Sequence, residues 1–319
     1  MKLQRLALAV AGVGMLAATA ASGPAVAGGQ ADPKPDLSAK IAAKMQPQSM
    51  KAAAAGPCIS WVGWPTAAGT VQDADVTAAK PPRAVTYEPF NYVVTRTNAT
   101  WYGAVNAAGT QYYMYGLFLQ GSNLYRHTTY LPDEGAPVPT FKKVGTGWAS
   151  FKSIATSNYS VAQPRHAYLY GLNTNGSLYR YQIVGAGFKA LGPLPGFRGF
   201  KAMTVISETA TYDTLLMTTN AGALYTVRIP VAAGAKPVLK LIRSSGWANY
   251  ESLVVQGCGT RGGSLIVAVD HNTQSGDQYA MSKANGAATA ITAYGKIPAV
   301  FDGVNHVSFT THYDQLVGE

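Results

Sequence analysis

One phrase recurs along this chain at a spacing near fifty residues, and it restricts the fold more than any other feature. A Gly-aromatic pair is followed by a second aromatic residue and an apolar stretch, then by a small Gly/Asn turn and Leu-Tyr. It reads Gly147-Trp148…Phe151…Ile154, then Asn175-Gly176-Ser177-Leu178-Tyr179-Arg180-Tyr181. It returns as Gly196-Phe197…Phe200…Met203 with Asn220-Ala221-Gly222-Ala223-Leu224-Tyr225, and again as Gly246-Trp247…Tyr250…Leu253, reaching Gln278-Tyr279-Ala280-Met281. Phe151, Phe200 and Tyr250 are 49 and 50 residues apart. A period of this length made only of short strands specifies the blades of a β-propeller. A single four-stranded sheet cannot bury both of its faces, whereas blades stacked around an axis bury them against one another.

The ends of the chain have other roles. Lys2 and Arg5 precede an apolar run, Leu6 to Ala21, and Ala25-Val26-Ala27 has the small-x-small form of a cleavage site. Residues 1–27 are therefore expected to be an export signal, and the mature protein to be secreted. Residues 28–56 are rich in Ala, Pro, Lys and Gln, hold no aromatic residue, and are expected to be a flexible linker. Residues 57–319 suffice for one all-β domain, rich in Gly, Tyr and Thr, and no long helical period interrupts them. Cys58 and Cys258 are the two cysteines of the sequence, and in an oxidising compartment such a pair is expected to be bridged. The formal net charge is +10, but Lys and Arg do not cluster within the domain. Neither nucleic-acid binding nor membrane insertion is expected from the sequence.

The repeat places inner strands at Asn91 to Thr97, Phe151 to Ser157, Phe200 to Ser207, Tyr250 to Gly257 and Val304 to Thr311. Second strands follow at Gln111, His166, Asp213 and Ser264, and third strands at Leu124, Leu178, Leu224 and Gln278. This makes four full blades and a fifth that the chain leaves unfinished after Val304 to Glu319, with room for two strands. The missing pair is expected from the N-terminal side, with Gly56 to Val62 as a third strand and Gly69 to Gln72 as the outer one. The expected fold is a five-bladed β-propeller whose last blade is closed by N-terminal strands. In that register Cys58 and Cys258 fall at opposite rims, which conflicts with a bridge.

The phrase Gly-Trp-x-x-Phe-x-x-Ile…Asn-Gly-x-Leu-Tyr-Arg-Tyr of residues 147–183 resembles the repeat of the tachylectin-type five-bladed β-propeller lectins. Residues 196–228 and 246–281 carry looser copies, and residues 86–130 keep Gly121-Ser122-Asn123-Leu124-Tyr125-Arg126 without a clear Gly-Trp. The resemblance implies binding of N-acetylated amino sugars in shallow sites between blades, with glycans or cell-wall oligosaccharides as partners and no catalysis. Sugar recognition needs an aromatic face for the C–H side of the ring and planar polar groups for its hydroxyls. Trp148, Phe197 and Trp247 recur at one blade position, and Asn158, Asn173, Asn175 and Asn220 lie near strand ends and turns; together these are the candidate binding rim. The same residue types also serve packing and turn formation, and Tyr125, Tyr179 and Tyr225 read as structural.

Two other classes compete: a secreted hydrolase or lyase with its site at the central channel, and a protein-interaction scaffold. The best clusters for chemistry are Asp270-His271 and His306…His312…Asp314, neither of which recurs with the repeat. No G-x-S-x-G elbow, HExxH or phosphate-cradling glycine loop is present. No catalytic residue, metal ligand set or cofactor is assigned from the sequence.

Overall fold

The computed structural model describes residues 57–66, 68, 70–86, 100–106, 110–131, 138–259, 262–302, 307–311 and 315–319. The expected export signal and linker, residues 1–56, lie outside the described residues. Among the described residues all 20 regular elements are strands. In chain order they are β1 (Ile59–Pro65), β2 (Val71–Thr77), β3 (Arg83–Thr86), β4 (Trp101–Val105), β5 (Tyr112–Gln120), β6 (Asn123–Leu131) and β7 (Val138–Gly145). Then come β8 (Phe151–Tyr159), β9 (His166–Asn173), β10 (Leu178–Val184), β11 (Gly187–Leu194), β12 (Phe200–Glu208), β13 (Tyr212–Thr219), β14 (Leu224–Pro230) and β15 (Val238–Arg243). The last are β16 (Ser252–Cys258), β17 (Gly263–Asp270), β18 (Ser275–Met281), β19 (Ile291–Lys296) and β20 (Val307–Thr311).

Five four-stranded antiparallel blades result. Blade I is β4 to β7, blade II β8 to β11, blade III β12 to β15, and blade IV β16 to β19. Blade V joins the two parts of the chain: β20 is its inner strand, and β1, β2 and β3 follow it outward. The inner strands β20 and β4 pair in parallel, Phe309 opposite Trp101, which joins blade V to blade I. Between blades I and II, the Thr100 amide donates to Thr156 Oγ1, whose hydroxyl donates back to the Thr100 carbonyl.

Closure by N-terminal strands is therefore as expected, but its division differs. One strand comes from the C-terminal side, not two, and three come from the N-terminal side. Residues 59–65 form the second strand of blade V, not the third. Burial gives the reason. The second strands β9, β13 and β17 are buried almost without interruption, and so is β1 from Val62 onward. Third strands alternate, and β2 alternates with them. A strand flanked on both sides and packed on both faces tolerates no polar alternation. The expected inner strand at Asn91 to Thr97 lies outside the described residues, and β4 holds the innermost position of blade I.

The corrected register removes the conflict over the cysteines. The start of a second strand and the end of an inner strand lie at the same rim. Cys58 and Cys258 are bridged there, with Cα atoms 5.8 Å apart, tying blade V to blade IV. Beneath the bridge, Val62, Trp64, Ala74 and Val76 of blade V pack against Val254, Val267, Val269, Ile297 and Phe301. The Gln278 amide donates across the same interface to the Val76 carbonyl at 3.2 Å.

The bridge spans 200 residues of sequence. On the chain-entropy account its removal costs up to about 5 kcal/mol. A Cys58→Ser, Cys258→Ser double variant is expected to unfold at markedly lower guanidinium concentration. An unchanged midpoint would mean that apolar packing alone holds blade V in place.

Candidate functional site

The recurring phrase is first a joint between blades. The amides of Trp148, Phe197 and Trp247 donate to the carbonyls of Ser122, Gly176 and Gly222, each in the Gly/Asn turn of the preceding blade, at 2.9, 2.8 and 3.0 Å. The carbonyls of the same three aromatic residues then accept from the amides of Phe151, Phe200 and Tyr250, which fixes the turn into each inner strand. Gly147, Gly196 and Gly246 have φ of 81°, 96° and 94°, a left-handed conformation that a side chain would strain. In the turns, a Cβ on Gly176 would lie 2.8 Å from Arg198 Cβ, and one on Gly222 would lie 2.9 Å from the Ala248 nitrogen. Glycine at these turns allows successive blades to approach backbone to backbone.

This joint turns the first aromatic ring inward. Trp148, Phe197 and Trp247 are all buried. Trp148 packs on Phe151 with centroids 4.4 Å apart and on Tyr181 at 5.2 Å, and Trp247 packs on Tyr279 at 4.9 Å. The rings offered toward solvent belong instead to the Leu-Tyr half of the phrase. Tyr125, Tyr179, Tyr225 and Tyr279 occupy one register position in four successive blades, opposite Phe118, Gly171, Met217 and Ile266. All four are half-buried. Each leans on an aromatic residue of its own blade: Phe118, Phe151, Phe200 and Tyr250. Polar groups adjoin two of them. The Asn175 amide donates to the Tyr179 hydroxyl at 3.1 Å. Tyr250 and Tyr279 hydroxyls lie 2.6 Å apart, and the Tyr250 hydroxyl donates to Asp277 Oδ2 at 3.0 Å. Burial raises the pKa of both phenols, so they remain protonated donors.

The expected asparagines separate into two groups. Asn175 and Asn220 are exposed at the turns of blades II and III. Asn173 is buried in the blade II turn, donating to Ser150 Oγ and accepting from the Asn175 amide. Asn158 stands at the other rim, because β8 runs from Phe151 opposite Asn173 to Tyr159 opposite His166. Asn158 and Asn175 thus do not converge on one ligand.

A second polar centre, missed in the sequence reading, sits at the Asn158 end. Asp213 of β13 accepts from the hydroxyls of Ser157 and Tyr170 through Oδ2, and His166 Nε2 lies 3.0 Å from its Oδ1. Nearby, Glu208 is fully buried. Its Oε1 accepts the Asn158 amide at 2.8 Å, and its Oε2 faces Gln315 and the Leu316 amide, both at 3.5 Å. Burial, then the neighbouring Asp213, pushes its carboxyl up to about 8. The signal available in the sequence was a pair of acids flanking a short turn between two apolar strands. Although it contains Ser, His and Asp, this is not a relay. Asp213 bonds both partners, and among the described residues no histidine bonds the Ser157 hydroxyl, as a relay requires. The network pins blade II to blade III.

Asp270 Oδ1 accepts from the amides of Asn272 and Thr273, shaping the turn after β17, while the His271 amide donates to Glu251. His306, His312 and Asp314 lie outside the described residues.

No protein-family model matches the chain, and no curated protein matches it. Among solved structures, it is similar to the fungal Aleuria aurantia lectin, described as a six-bladed β-propeller with a novel fucose recognition mode. Identity is 14%, covering 79% of this chain and 83% of that one, with a TM-score of 0.41. The SapL1 lectin in complex with alpha methyl fucoside is 10% identical, covering 74% of this chain and 79% of that one, with a TM-score of 0.38. The BP39L lectin from Burkholderia pseudomallei is 13% identical, covering 72% and 67%, with a TM-score of 0.35. Likenesses this distant bear on neither ligand nor site residues.

Two outcomes follow from the geometry. Trp148→Ala is expected to cost about 3–5 kcal/mol, as for other buried aromatic truncations, measured by chemical unfolding; a loss below about 1 kcal/mol would mean that the ring is not a joint. Glu208 has a folded pKa raised above its unfolded value, so the folded state binds the proton more tightly. Its contribution to stability is full below pH 4.5 and is lost as pH rises toward 8, by up to about 1.4 kcal/mol per unit. Glu208→Gln is expected to flatten that decline in melting temperature. An unchanged pH profile would show that Glu208 is ionised throughout.

Proposed function

We propose that this protein is a secreted, non-catalytic glycan-binding propeller, with N-acetylated amino-sugar glycans as its ligand class. One observation carries the reading: the tyrosine row formed by Tyr125, Tyr179, Tyr225 and Tyr279, half-exposed at one register position in four successive blades. Such a face suits the apolar side of a pyranose ring, and the Asn175 amide and the Tyr250–Asp277 pair supply donors and an acceptor for hydroxyl and acetamido groups. Asn220 stands exposed at the corresponding turn of blade III. Trp148, Phe197 and Trp247 act beneath this surface, holding the rings that bear the contact. The resemblance of residues 147–183 to the tachylectin-type repeat supports the choice of amino sugars. Several weak sites on one rigid ring raise avidity through effective concentration. The exported location is the reading of residues 1–27 and agrees with the Cys58–Cys258 bridge.

Retention on N-acetylglucosamine resin with elution by the free sugar is the direct test, with a fucose resin as the second arm. Tyr179→Ala and Tyr279→Ala are each expected to weaken retention while the ring stays folded, and the double variant to reduce it roughly 10²-fold by loss of avidity. A folded ring that binds neither resin nor any member of a broad glycan array would sink the reading. Retention on fucose alone would keep the glycan-binding class and replace the sugar.

A further inference from the structure

We propose that the cleft between blades III and IV is a binding groove for an extended acidic peptide, and that residues 315–319 fill it in cis. The segment Gln315-Leu316-Val317-Gly318-Glu319 lies outside the five blades yet is bonded to three of them. It adds a short antiparallel bridge to the end of β12, with Ser207 opposite Val317. The Glu208 amide donates to the Leu316 carbonyl and the Gly318 amide to the Ile206 carbonyl, both at 2.8 Å. On the other wall, the Ala284 amide of blade IV donates to the Gly318 carbonyl at 2.6 Å. Gln315 reaches blade II, donating to the Asn158 carbonyl at 2.8 Å. This is strand addition, in which main-chain bonds hold a peptide and alternate side chains read it.

The side chains give the groove its selectivity. Leu316 is buried in the main apolar core, whereas Val317 points out and is half exposed. Gly318 admits no side chain, since a Cβ there would lie 2.6 Å from the Ile206 carbonyl and 2.8 Å from Ser264 Oγ. The Glu319 carboxylate is almost fully buried. It accepts from Thr214 Oγ1 and from Arg228 Nε at 3.2 Å, and Lys240 Nζ stands 3.9 Å away. The groove therefore reads an apolar residue, any residue, glycine and an acid. Elsewhere an arginine arm spans successive blades. Arg126 reaches the Gly185 carbonyl and Arg180 the Pro230 carbonyl, but the same position of blade III is Thr226, too short to cross. The segment supplies the bridging contacts there instead.

The test uses the full chain unsubstituted and as Gly318→Ala and Glu319→Lys, each checked by circular dichroism and thermal unfolding. Hydrogen exchange at the amides of Glu208, Ala284 and position 318 reports whether the segment has left the groove. A labelled Gln-Leu-Val-Gly-Glu peptide is then titrated and followed by fluorescence anisotropy. Saturable binding is expected to both released variants, at least tenfold tighter than to the unsubstituted chain. It is expected to weaken at least tenfold when the peptide ends in Gln or when Arg228→Ala is added. A folded, released variant that takes up no peptide overturns the proposal, as does binding indifferent to that acid and to Arg228. Retained amide protection in both variants overturns it as well, because the segment is then an integral part of the ring.

Discussion

The ring depends on a main-chain hydrogen bond between neighbouring blades. Each Gly-aromatic pair gives its amide to the turn of the blade before it, at Trp148, Phe197 and Trp247. A blade's turn would otherwise leave that carbonyl unmatched beside a buried ring, at a cost of about 1–3 kcal/mol. The bond is set by glycine before each aromatic residue, in a left-handed turn at Gly147, Gly196 and Gly246, and at two of the three joints by glycine at the acceptor, where Gly176 and Gly222 allow close approach. Once it forms, the aromatic ring has one place to go, which is beneath the next blade's first strand. Packing, turn shape and repeat length all follow from this joint.

That dependence explains what could be read from the sequence. Strong copies of the phrase located β8, β10, β12 and β14 to within a residue or two, because glycine and aromatic positions are set by the joint itself. In blade I the Gly-Trp is missing, and Trp101 instead lies over Gly116, donating to the Leu117 carbonyl. A lone tryptophan gives no period, so the repeat did not mark β4, which holds the innermost position of that blade. The N-terminal strands were displaced by one position because Gly56 to Val62 resembles a third-strand turn. The continuous apolar character of Val62 to Trp64 was the better guide.

The candidate surface was legible in composition but not in orientation. Gly-aromatic and Leu-Tyr are equally aromatic on paper, and only the turn geometry decides which ring faces water. It buries Trp148, Phe197 and Trp247 and leaves the tyrosines half-exposed. Asn158 and Asn175 are both near strand ends, yet one inner strand separates them, which a linear reading does not weigh. Nothing in the repeat marked Asp213, Glu208 or residues 315–319. Their relations join positions far apart in sequence and belong to no blade's own pattern.

The composite blade carries a consequence for biosynthesis. Strands β1 to β3 emerge early but wait for β20 to supply their innermost neighbour, and Cys58 waits for Cys258. Until then β1 presents an unpaired apolar edge, including Val62 and Trp64, that invites association with other chains. A prematurely terminated product would be an open stack with a sticky end rather than a smaller ring. Such long-range closure slows folding and makes it an all-or-none event that waits on β20.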